Sequence, residues 1–190
     1  MHKATSFDKQ LVVNILTKAF FDNKSLNLIV RQDDNKNNRI QKIFDYYFDI
    51  HISAGFIYIS DDNSACAMIS CSDKRKESIK SIFADIKLLY YLGIRTALKG
   101  FKRERVVAEA RTKSRYYYLL FLGVHPDKQG MGIGSNLMRE ILNNKNELDL
   151  PICLETSLIR NVEFYSKLGF YIYHEMQFGF PLYFMVRDFL

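Results

Sequence analysis

Apolar residues divide the chain into short runs typical of β-strands and longer amphipathic stretches typical of helices. Leu119 to Leu122 form an apolar run that follows three tyrosines, and this predicts a buried strand ended by Gly123 and Pro126. Apolar residues spaced by three and four positions from Ile133 to Leu142 share one face of a predicted helix. The glycines between the two elements are Gly130, Gly132 and Gly134. The centre of the chain is therefore predicted to be a strand, a glycine loop and a helix.

The residues at the N-terminal end predict a short edge strand and two helices. The strand is expected within residues 1–5, and a helix capped at Thr5 or Ser6 follows, with an apolar face from Leu11 to Phe20. The polar segment 22–38 predicts a loop around a short apolar piece. The second helix is expected to present Ile40, Ile43, Phe44, Tyr47, Phe48 and His51 on one face.

Two β-compatible runs, Phe56 to Ser60 and Ala65 to Ser70, flank a polar tetrapeptide and predict a hairpin. Asp61 and Asp62 in this connection are interpreted as turn formers rather than catalytic acids. The long segment 72–115 predicts two amphipathic helices before the central strand.

The C-terminal part of the chain predicts a strand, a helix and a hairpin. Pro151 to Thr156 form the strand, in which Cys153 and Glu155 face one side because strand side chains alternate. A helix is expected from Ile159 to Leu168. The hairpin is expected to pair Tyr171 to Phe178 with Leu182 to Phe189.

The glycine loop has the chemistry of an anion-binding site. Glycine lets the backbone adopt left-handed conformations and approach a ligand closely, and the N–H groups of a helix's first turn have no partner within the helix. A phosphate or pyrophosphate fits such a place. A dinucleotide fingerprint would need glycine where Ser135 stands, and a P-loop would need Gly-Lys-Ser/Thr, so both common phosphate loops are disfavoured.

The loop from Gln129 to Gly134, with the sequence QGMGIG, resembles the coenzyme A pyrophosphate loop of the GNAT superfamily of N-acetyltransferases, Gln/Arg-x-x-Gly-x-Gly/Ala. The preceding Leu122 to Pro126 resembles the end of that family's fourth strand. A later block, Asn161 to Phe170, is similar to the family's segment in which an Asn and a Tyr contact the coenzyme and a Leu-Gly-Phe turn follows. The two motifs occur in the family's order, and the resemblance is close from Tyr116 onward.

The resemblance implies the GNAT acyl-CoA N-acyltransferase fold, an α/β (α+β) architecture. Its sheet is mixed, mostly antiparallel and six- to seven-stranded, with flanking helices and a helical insertion between strands 3 and 4. It also implies acetyl-CoA as the cofactor. The residues that would hold the coenzyme are Leu122, Gly123, Val124, Gln129, Gly130, Met131, Gly132, Ile133, Gly134, Ser135, Asn161 and Tyr165.

The implied reaction is direct attack of a small-molecule primary amine on the acetyl thioester within a ternary complex. Tyr165 matches the family's general acid, and a phenol can donate a proton to the departing thiolate. Glu155, at the end of the fifth strand, is the first candidate for the general base, although an ion-pair role is equally open; Glu109 and His125 are weaker candidates. Alternatives are a protein or peptide N-acetyltransferase and a non-catalytic coenzyme-binding regulatory domain.

Composition indicates the number of domains, the state of the cysteines and the location of the protein. The 190 residues, 48% of them hydrophobic, suit a single domain over 1–190. The three cysteines, Cys66, Cys71 and Cys153, are expected to be buried reduced thiols, and their spacing is unlike that of a metal site. Neither a signal peptide nor a membrane span is predicted, so a cytoplasmic monomer or homodimer is expected.

The segment 74–115 is strongly basic. It contains thirteen Lys or Arg residues and four acids, which gives it a charge of +9, whereas the whole chain carries +6. A solvated helix surface is the favoured interpretation. An acidic substrate and the outer phosphate of coenzyme A are alternatives, whereas nucleic-acid binding is not expected, because the charges lie within amphipathic helices and no nucleic-acid motif accompanies them.

Overall fold

The computed structural model describes residues 1–54, 56–71, 115–144, 148–177 and 179–188. These residues form seven strands and five α-helices. The strands are β1 (His2–Lys3), β2 (Phe56–Ile59), β3 (Ala65–Cys71), β4 (Tyr117–Val124), β5 (Ile152–Thr156), β6 (Tyr171–Gln177) and β7 (Pro181–Arg187). The helices are α1 (Lys9–Ala19), α2 (Lys24–Ile29), α3 (Lys36–Ala54), α4 (Ile133–Asn143) and α5 (Ile159–Ser166). No helix of these residues is long and apolar enough to cross a membrane.

All seven strands belong to one sheet, in the order β1-β2-β3-β4-β5-β7-β6. Neighbouring strands run antiparallel except β4 and β5, which are parallel. A parallel pair needs a crossover connection, and α4 provides it. The unit β4-loop-α4-β5 therefore lies in the middle of the sheet, between two antiparallel halves.

One face of the sheet is covered by α1 and α3. The apolar faces of these helices meet alternate residues of β2 and β3, which form a core cluster that includes Ile57, Ile59, Cys66 and Met68. The rings of Phe20, Phe44 and Phe121 meet edge to face in the same cluster, with centroids 5.1–5.6 Å apart. Such pairs stabilise a core beyond the burial of their area.

The opposite face of the sheet is covered by α4 and α5. Leu137, Met138 and Ile141 of α4 are fully buried, as the three- and four-residue spacing of the sequence predicts. They pack against the other alternating set of strand residues, which includes Ala65, Ala67, Ile69, Leu119, Ile152 and Leu154. Because side chains alternate along a strand, each central strand contributes residues to both cores.

The predicted elements are confirmed in type and order wherever the structure describes them, with two corrections. A helix, α2, occupies part of the segment 22–38 that was expected to be a loop; Asn23 caps it by accepting a hydrogen bond from the backbone N–H of Leu26 at 3.0 Å. Gly123 does not end β4, which continues to Val124. The two helices expected within 72–115 cannot be compared in this way, because residues 72–114 lie outside the described part of the chain.

The three cysteines are buried and form no disulfide with one another, as expected. Burial raises the pKa of the Cys66 thiol, because the thiolate would lose its hydration. A thiol in this state is chemically inert.

The packing of α1 on β4 explains why glycine stands at position 123. A Cβ atom added there would lie 2.9 Å from Leu16 Cδ2 and 3.3 Å from Ala19 Cβ. We expect Gly123→Ala to lower the free energy of unfolding by about 1–3 kcal/mol through overpacking. Urea unfolding followed by circular dichroism measures the change.

The matched control is a double-mutant cycle with Leu16→Ala, which removes the obstructing side chain. If overpacking is the cause, the double variant loses less stability than the sum of the two single variants. Strict additivity would contradict this explanation.

Candidate functional site

A gap opens between β4 and β5 at their C-terminal ends. The two strands pair only at Tyr117 with Ile152 and at Tyr118 with Cys153. Beyond these positions β4 continues to Val124 and β5 to Thr156, but the two strands no longer pair with each other. The C-terminal edge of neighbouring parallel strands is where open α/β sheets bind ligands, so this gap is the candidate site.

A β-bulge in β4 accompanies the separation. Met68 of β3 pairs with Phe121 and Ile69 pairs with Leu119, which leaves Leu120 as the additional residue. A bulge bends its strand and increases the local twist. It also resets the alternation, so that Tyr117 and Leu119 before it, and Leu122 and Val124 after it, all contact the α4 side.

The backbone of β4 presents polar groups to the gap. His125 N donates to Ser64 O at 2.8 Å, so the N–H of residue 125 faces β3. Because successive residues of a strand direct their backbone groups to opposite neighbours, Val124 and Leu122 direct theirs toward β5. The backbone N–H and C=O groups of Gly123 point toward β3, and its Cα faces α1. Of the three strand residues expected to contact the coenzyme, two therefore offer backbone groups to the gap.

The glycine loop begins where β4 ends. Gln129 Nε2 donates to Val124 O at 3.1 Å, which fixes the start of the loop against the strand end. Gly130 and Gly132 have φ angles of +80° and +78°, and a Cβ added to either would meet nothing within 4 Å. Glycine is therefore favoured at these two positions by the left-handed backbone conformation and not by a lack of space for a side chain. The loop is exposed from Pro126 to Gly132.

Helix α4 begins directly at the loop, with Gly132 as its N-cap. The first intrahelical bond runs from Asn136 N to Gly132 O at 2.9 Å. No side chain of the described residues caps this end, so the N–H groups of Ile133, Gly134 and Ser135 remain available as donors. A Cβ on Gly134 would lie 3.0 Å from Val124 Cγ2, which shows how closely the helix approaches the strand end. These donors and the helix dipole together favour an anion at this end of the helix.

Tyr165 lies on α5, in the core on the α4 side of the sheet. Its side chain is 8% exposed, and its ring meets those of Phe164 and Phe170 edge to face at 4.9 and 5.5 Å. Burial raises the pKa of the Tyr165 phenol, because the phenolate would be desolvated. The hydroxyl therefore keeps its proton through neutral pH and acts as a hydrogen-bond donor.

Glu155 lies on the other side of the sheet from Tyr165. Leu154 packs in the same core as Tyr165, and alternation places the Glu155 side chain on the opposite face. Tyr118 donates its hydroxyl hydrogen bond to Glu155 Oε2 at 2.5 Å. This contact joins β4 to β5 at the position where their backbone pairing stops. The two candidate catalytic groups thus lie on opposite faces of the sheet.

Asn161 is held at the end of β5. Its Nδ2 donates to Thr156 Oγ1 at 3.1 Å, and Leu158 N lies 3.4 Å from the same oxygen. Thr156 thereby connects the end of the strand to the first turn of α5. This places Asn161 at the mouth of the gap, half-buried.

The remaining candidates have structural roles or lie elsewhere. His125 Nε2 is 3.0 Å from Lys18 Nζ, and its Nδ1 is 3.6 Å from Asp127 Oδ2, so the imidazole bridges α1 and the turn after β4. Asp62 accepts hydrogen bonds from the Ser60 and Ser64 hydroxyls at 2.6 Å each, which confirms its turn role and lowers the pKa of its carboxyl group. Glu109 lies outside the described residues.

Tyr118 was not singled out by the sequence. Its distance from Glu155 depends on the pairing of two strands that are far apart in the chain, and no local pattern encodes that register. Its position two residues before the bulge on the face that carries Glu155 becomes visible only in the assembled sheet. No group of three His, Cys, Asp or Glu residues that could hold a metal occurs in the described part of the chain.

Comparison with known proteins finds a family match over part of the chain. Residues 96–172 match the model of the acetyltransferase (GNAT) domain, a stretch that contains β4, the glycine loop, α4, β5 and α5. The fold matches that of a histone acetyltransferase and related acetyltransferase from Corynebacterium glutamicum, with a TM-score of 0.75, 18% identity, and coverage of 100% of this chain and 95% of that chain.

Two further solved structures are similar over most of their length. Arylalkylamine N-acetyltransferase 2 from Aedes aegypti has a TM-score of 0.68 at 15% identity, covering 98% of this chain and 97% of that chain. A ribosomal-protein alanine N-acetyltransferase from Escherichia coli has a TM-score of 0.55 at 13% identity, covering 99% and 92%. These likenesses confirm the predicted fold.

Proposed function

We propose that the chain transfers an acetyl group from acetyl-CoA to the primary amine of a small molecule, because residues 96–172 match the acetyltransferase (GNAT) domain and the fold matches that of solved acetyltransferases. One observation supports the proposal above all. The gap between β4 and β5 ends at a glycine loop and a helix N-terminus whose N–H donors have no side-chain cap in the described residues. A long thioester with a pyrophosphate at its far end suits that arrangement.

The residues around the gap fit the coenzyme in order along its length. The N–H groups from Gln129 to Ser135 would bind the pyrophosphate, because they converge at the positive end of α4. The backbone groups of Leu122 and Val124 would bind the amide-containing arm and the acetyl carbonyl, as an added strand would. Asn161 would contact the arm from the β5 side. When bound, acetyl-CoA supplies an activated acetyl group, with a thiol as the leaving group.

Glu155 is proposed as the general base. The attacking amine must lose a proton as its nitrogen bonds to the acetyl carbon, and the carboxylate takes that proton directly or through water. Tyr118 donates to Glu155 Oε2 and so holds the carboxylate in place between β4 and β5. Tyr118 acts through Glu155 and is therefore a positioning residue.

Tyr165 is proposed as the acid that assists the departing sulfur. Breaking the carbon–sulfur bond leaves a thiolate, to which the phenol can donate a hydrogen bond. The raised pKa of the buried phenol makes it a weaker acid than a thiol, so a complete proton transfer is uphill. The main contribution is thus a hydrogen bond that stabilises the leaving thiolate, which takes its proton from water as it departs.

The choice of a small amine rests on the block around Glu155 and Asn161, which resembles small-molecule acetyltransferases more than peptide-directed ones. The structural neighbours include both kinds, since one carries the name of an arylalkylamine acetyltransferase and another that of a ribosomal-protein acetyltransferase. A peptide amine is the alternative acceptor. A chain that binds the coenzyme and acetylates neither would be a regulatory coenzyme-binding domain.

The coenzyme site is tested by replacing a loop glycine with an acid. We expect Gly132→Glu to weaken acetyl-CoA binding about 100-fold or more, because it places a carboxylate at the phosphate site and strains a left-handed residue. Isothermal titration calorimetry at moderate salt measures the affinity directly.

Gly179→Glu is the matched control. Gly179 also has a left-handed φ, +74°, with nothing within 4 Å of an added Cβ, but it lies between β6 and β7. This variant should retain the wild-type affinity. Equal weakening in both variants would assign the effect to backbone strain, and an absence of binding by the wild type would overturn the proposed function.

The role of Tyr165 is tested by removing its hydroxyl. We expect Tyr165→Phe to lower kcat by roughly 10²-fold and to leave acetyl-CoA affinity nearly unchanged, because the ring still fills the core. Thiol release in single-turnover experiments reports the chemical step. Unchanged turnover, with that step shown to limit the rate, would remove Tyr165 from the mechanism.

The role of Glu155 is tested by replacing its carboxylate with an amide. Glu155→Gln should lower kcat by roughly 10²-fold and leave acetyl-CoA affinity nearly unchanged, since an amide cannot take the proton of the attacking amine. Tyr118→Phe keeps the carboxylate and should show a smaller loss of kcat. Unchanged turnover by Glu155→Gln, with the chemical step shown to limit the rate, would place the base elsewhere.

A further inference from the structure

The hydroxyl oxygen of Thr156 receives two hydrogen bonds at the point where β5 ends and the chain turns toward α5. Asn161 Nδ2 lies 3.1 Å from this oxygen, and Leu158 N lies 3.4 Å from it. A hydroxyl oxygen has two acceptor lone pairs, so these two donors fill both. The Thr156 side chain is 7% exposed and shares a face of β5 with Leu154, which packs in the core on the α4 side. The acceptor that holds Asn161 is therefore fixed by the packing of the sheet.

The bond to Thr156 determines which end of the Asn161 carboxamide is left for a ligand. Because Nδ2 donates to Thr156 Oγ1, the carbonyl oxygen Oδ1 lies on the other side of the amide group. Among the residues that the structure describes, Oδ1 has no hydrogen-bond partner. A carbonyl oxygen accepts hydrogen bonds and cannot donate them. Asn161, half-buried at the mouth of the gap, thus presents an acceptor to a ligand N–H or O–H group.

Asn161 lies one helical turn from Tyr165 on the same side of α5. Residues four positions apart share a helix face, with Cβ atoms about 5–6 Å apart. In the proposed function Tyr165 donates to the departing sulfur, so the part of the coenzyme beside Asn161 is the arm next to that sulfur. This pantetheine arm contains two amide groups, and the N–H of the first is two carbons away from the sulfur. The spacing along α5 therefore favours the first amide.

We propose that Thr156 is a positioning residue for the coenzyme, which holds Nδ2 of Asn161 so that Oδ1 accepts a hydrogen bond from the amide N–H nearest the sulfur. Thr156 acts through Asn161 and does not itself contact the ligand. The inference rests on the proposed function, because it takes acetyl-CoA as the ligand of the gap. It adds the group of the coenzyme that Asn161 recognises and the residue that sets the orientation of Asn161.

The test is calorimetry of the full chain with coenzyme A and with two analogues of it. In each analogue an ester oxygen replaces one of the two amide N–H groups of the arm, which removes a donor and keeps the length of the arm. We expect the wild type to bind the analogue of the first amide about tenfold more weakly than coenzyme A, because Oδ1 then faces an oxygen. This discrimination should be lost in Asn161→Ala and in Thr156→Val.

A double-mutant cycle separates positioning from a general effect on the fold. Thr156→Val and Asn161→Ala should each weaken the binding of coenzyme A about tenfold, and the double variant should bind no more weakly than Asn161→Ala alone. Thr156→Ser keeps the hydroxyl oxygen and should retain both the affinity and the discrimination. The matched control is Thr17→Val, which changes a second buried threonine, 5% exposed, in α1 on the other face of the sheet. This control should bind all three ligands as the wild type does.

Three results would overturn the proposal while coenzyme A still binds the wild type. The first is discrimination against the first-amide analogue that persists unchanged in Thr156→Val or Asn161→Ala. The second is equal binding of coenzyme A and that analogue by the wild type. The third is strict additivity in the cycle, since Thr156 would then act independently of Asn161. No binding of coenzyme A by the wild type would instead overturn the proposed function together with this inference.

Discussion

The separation of β4 from β5 is the constraint on which the site depends. Two parallel strands in the middle of a sheet would ordinarily pair along their whole shared length, but here the pairing stops after Tyr118. β4 carries a bulge at Leu120 and stays paired with β3 as far as Val124, while β7 pairs with β5 along its full length. Each strand is thus held by its outer neighbour, and the polar edge between them stays open.

The bulge in β4 links the packing of the two hydrophobic cores to the geometry of the candidate site. The bulge returns Leu122 and Val124 to the α4 side and turns Gly123 toward α1, so one additional residue sets which backbone groups reach the gap. The loop that follows can then use glycine in left-handed positions, because its start is fixed by the bond from Gln129 to Val124. The packing on both faces of the sheet and the position of the glycine loop at its edge therefore depend on one distortion in β4.

Much of this arrangement could be predicted from the sequence, because it is local. The strand, the glycine loop and the first turn of α4 are encoded within Leu119 to Leu142, where hydrophobic spacing and glycine placement leave few alternatives. The turn role of Asp62 follows in the same way from its serine neighbours. Such features depend on a few adjacent residues, and the structure has them where the pattern indicated.

What could not be predicted depends on contacts between distant segments. Gly123 resembles a strand end in sequence, but its role is to admit α1, more than 100 residues earlier in the chain. The contact between Tyr118 and Glu155 requires the register of β4 against β5, and the opposite faces of Glu155 and Tyr165 require the alternation of β5 to be known in three dimensions.

The placement of β7 next to β5 has a consequence for how the protein is made. Residues 181–187 pair with β5 along its full length, on the side opposite β4. They are synthesised well after both of these strands. Helices and hairpins formed from earlier residues can fold as they leave the ribosome, because their contacts are close in sequence. The gap takes its shape only after β7 has been added, so this edge of the sheet is complete only once all seven strands have been synthesised.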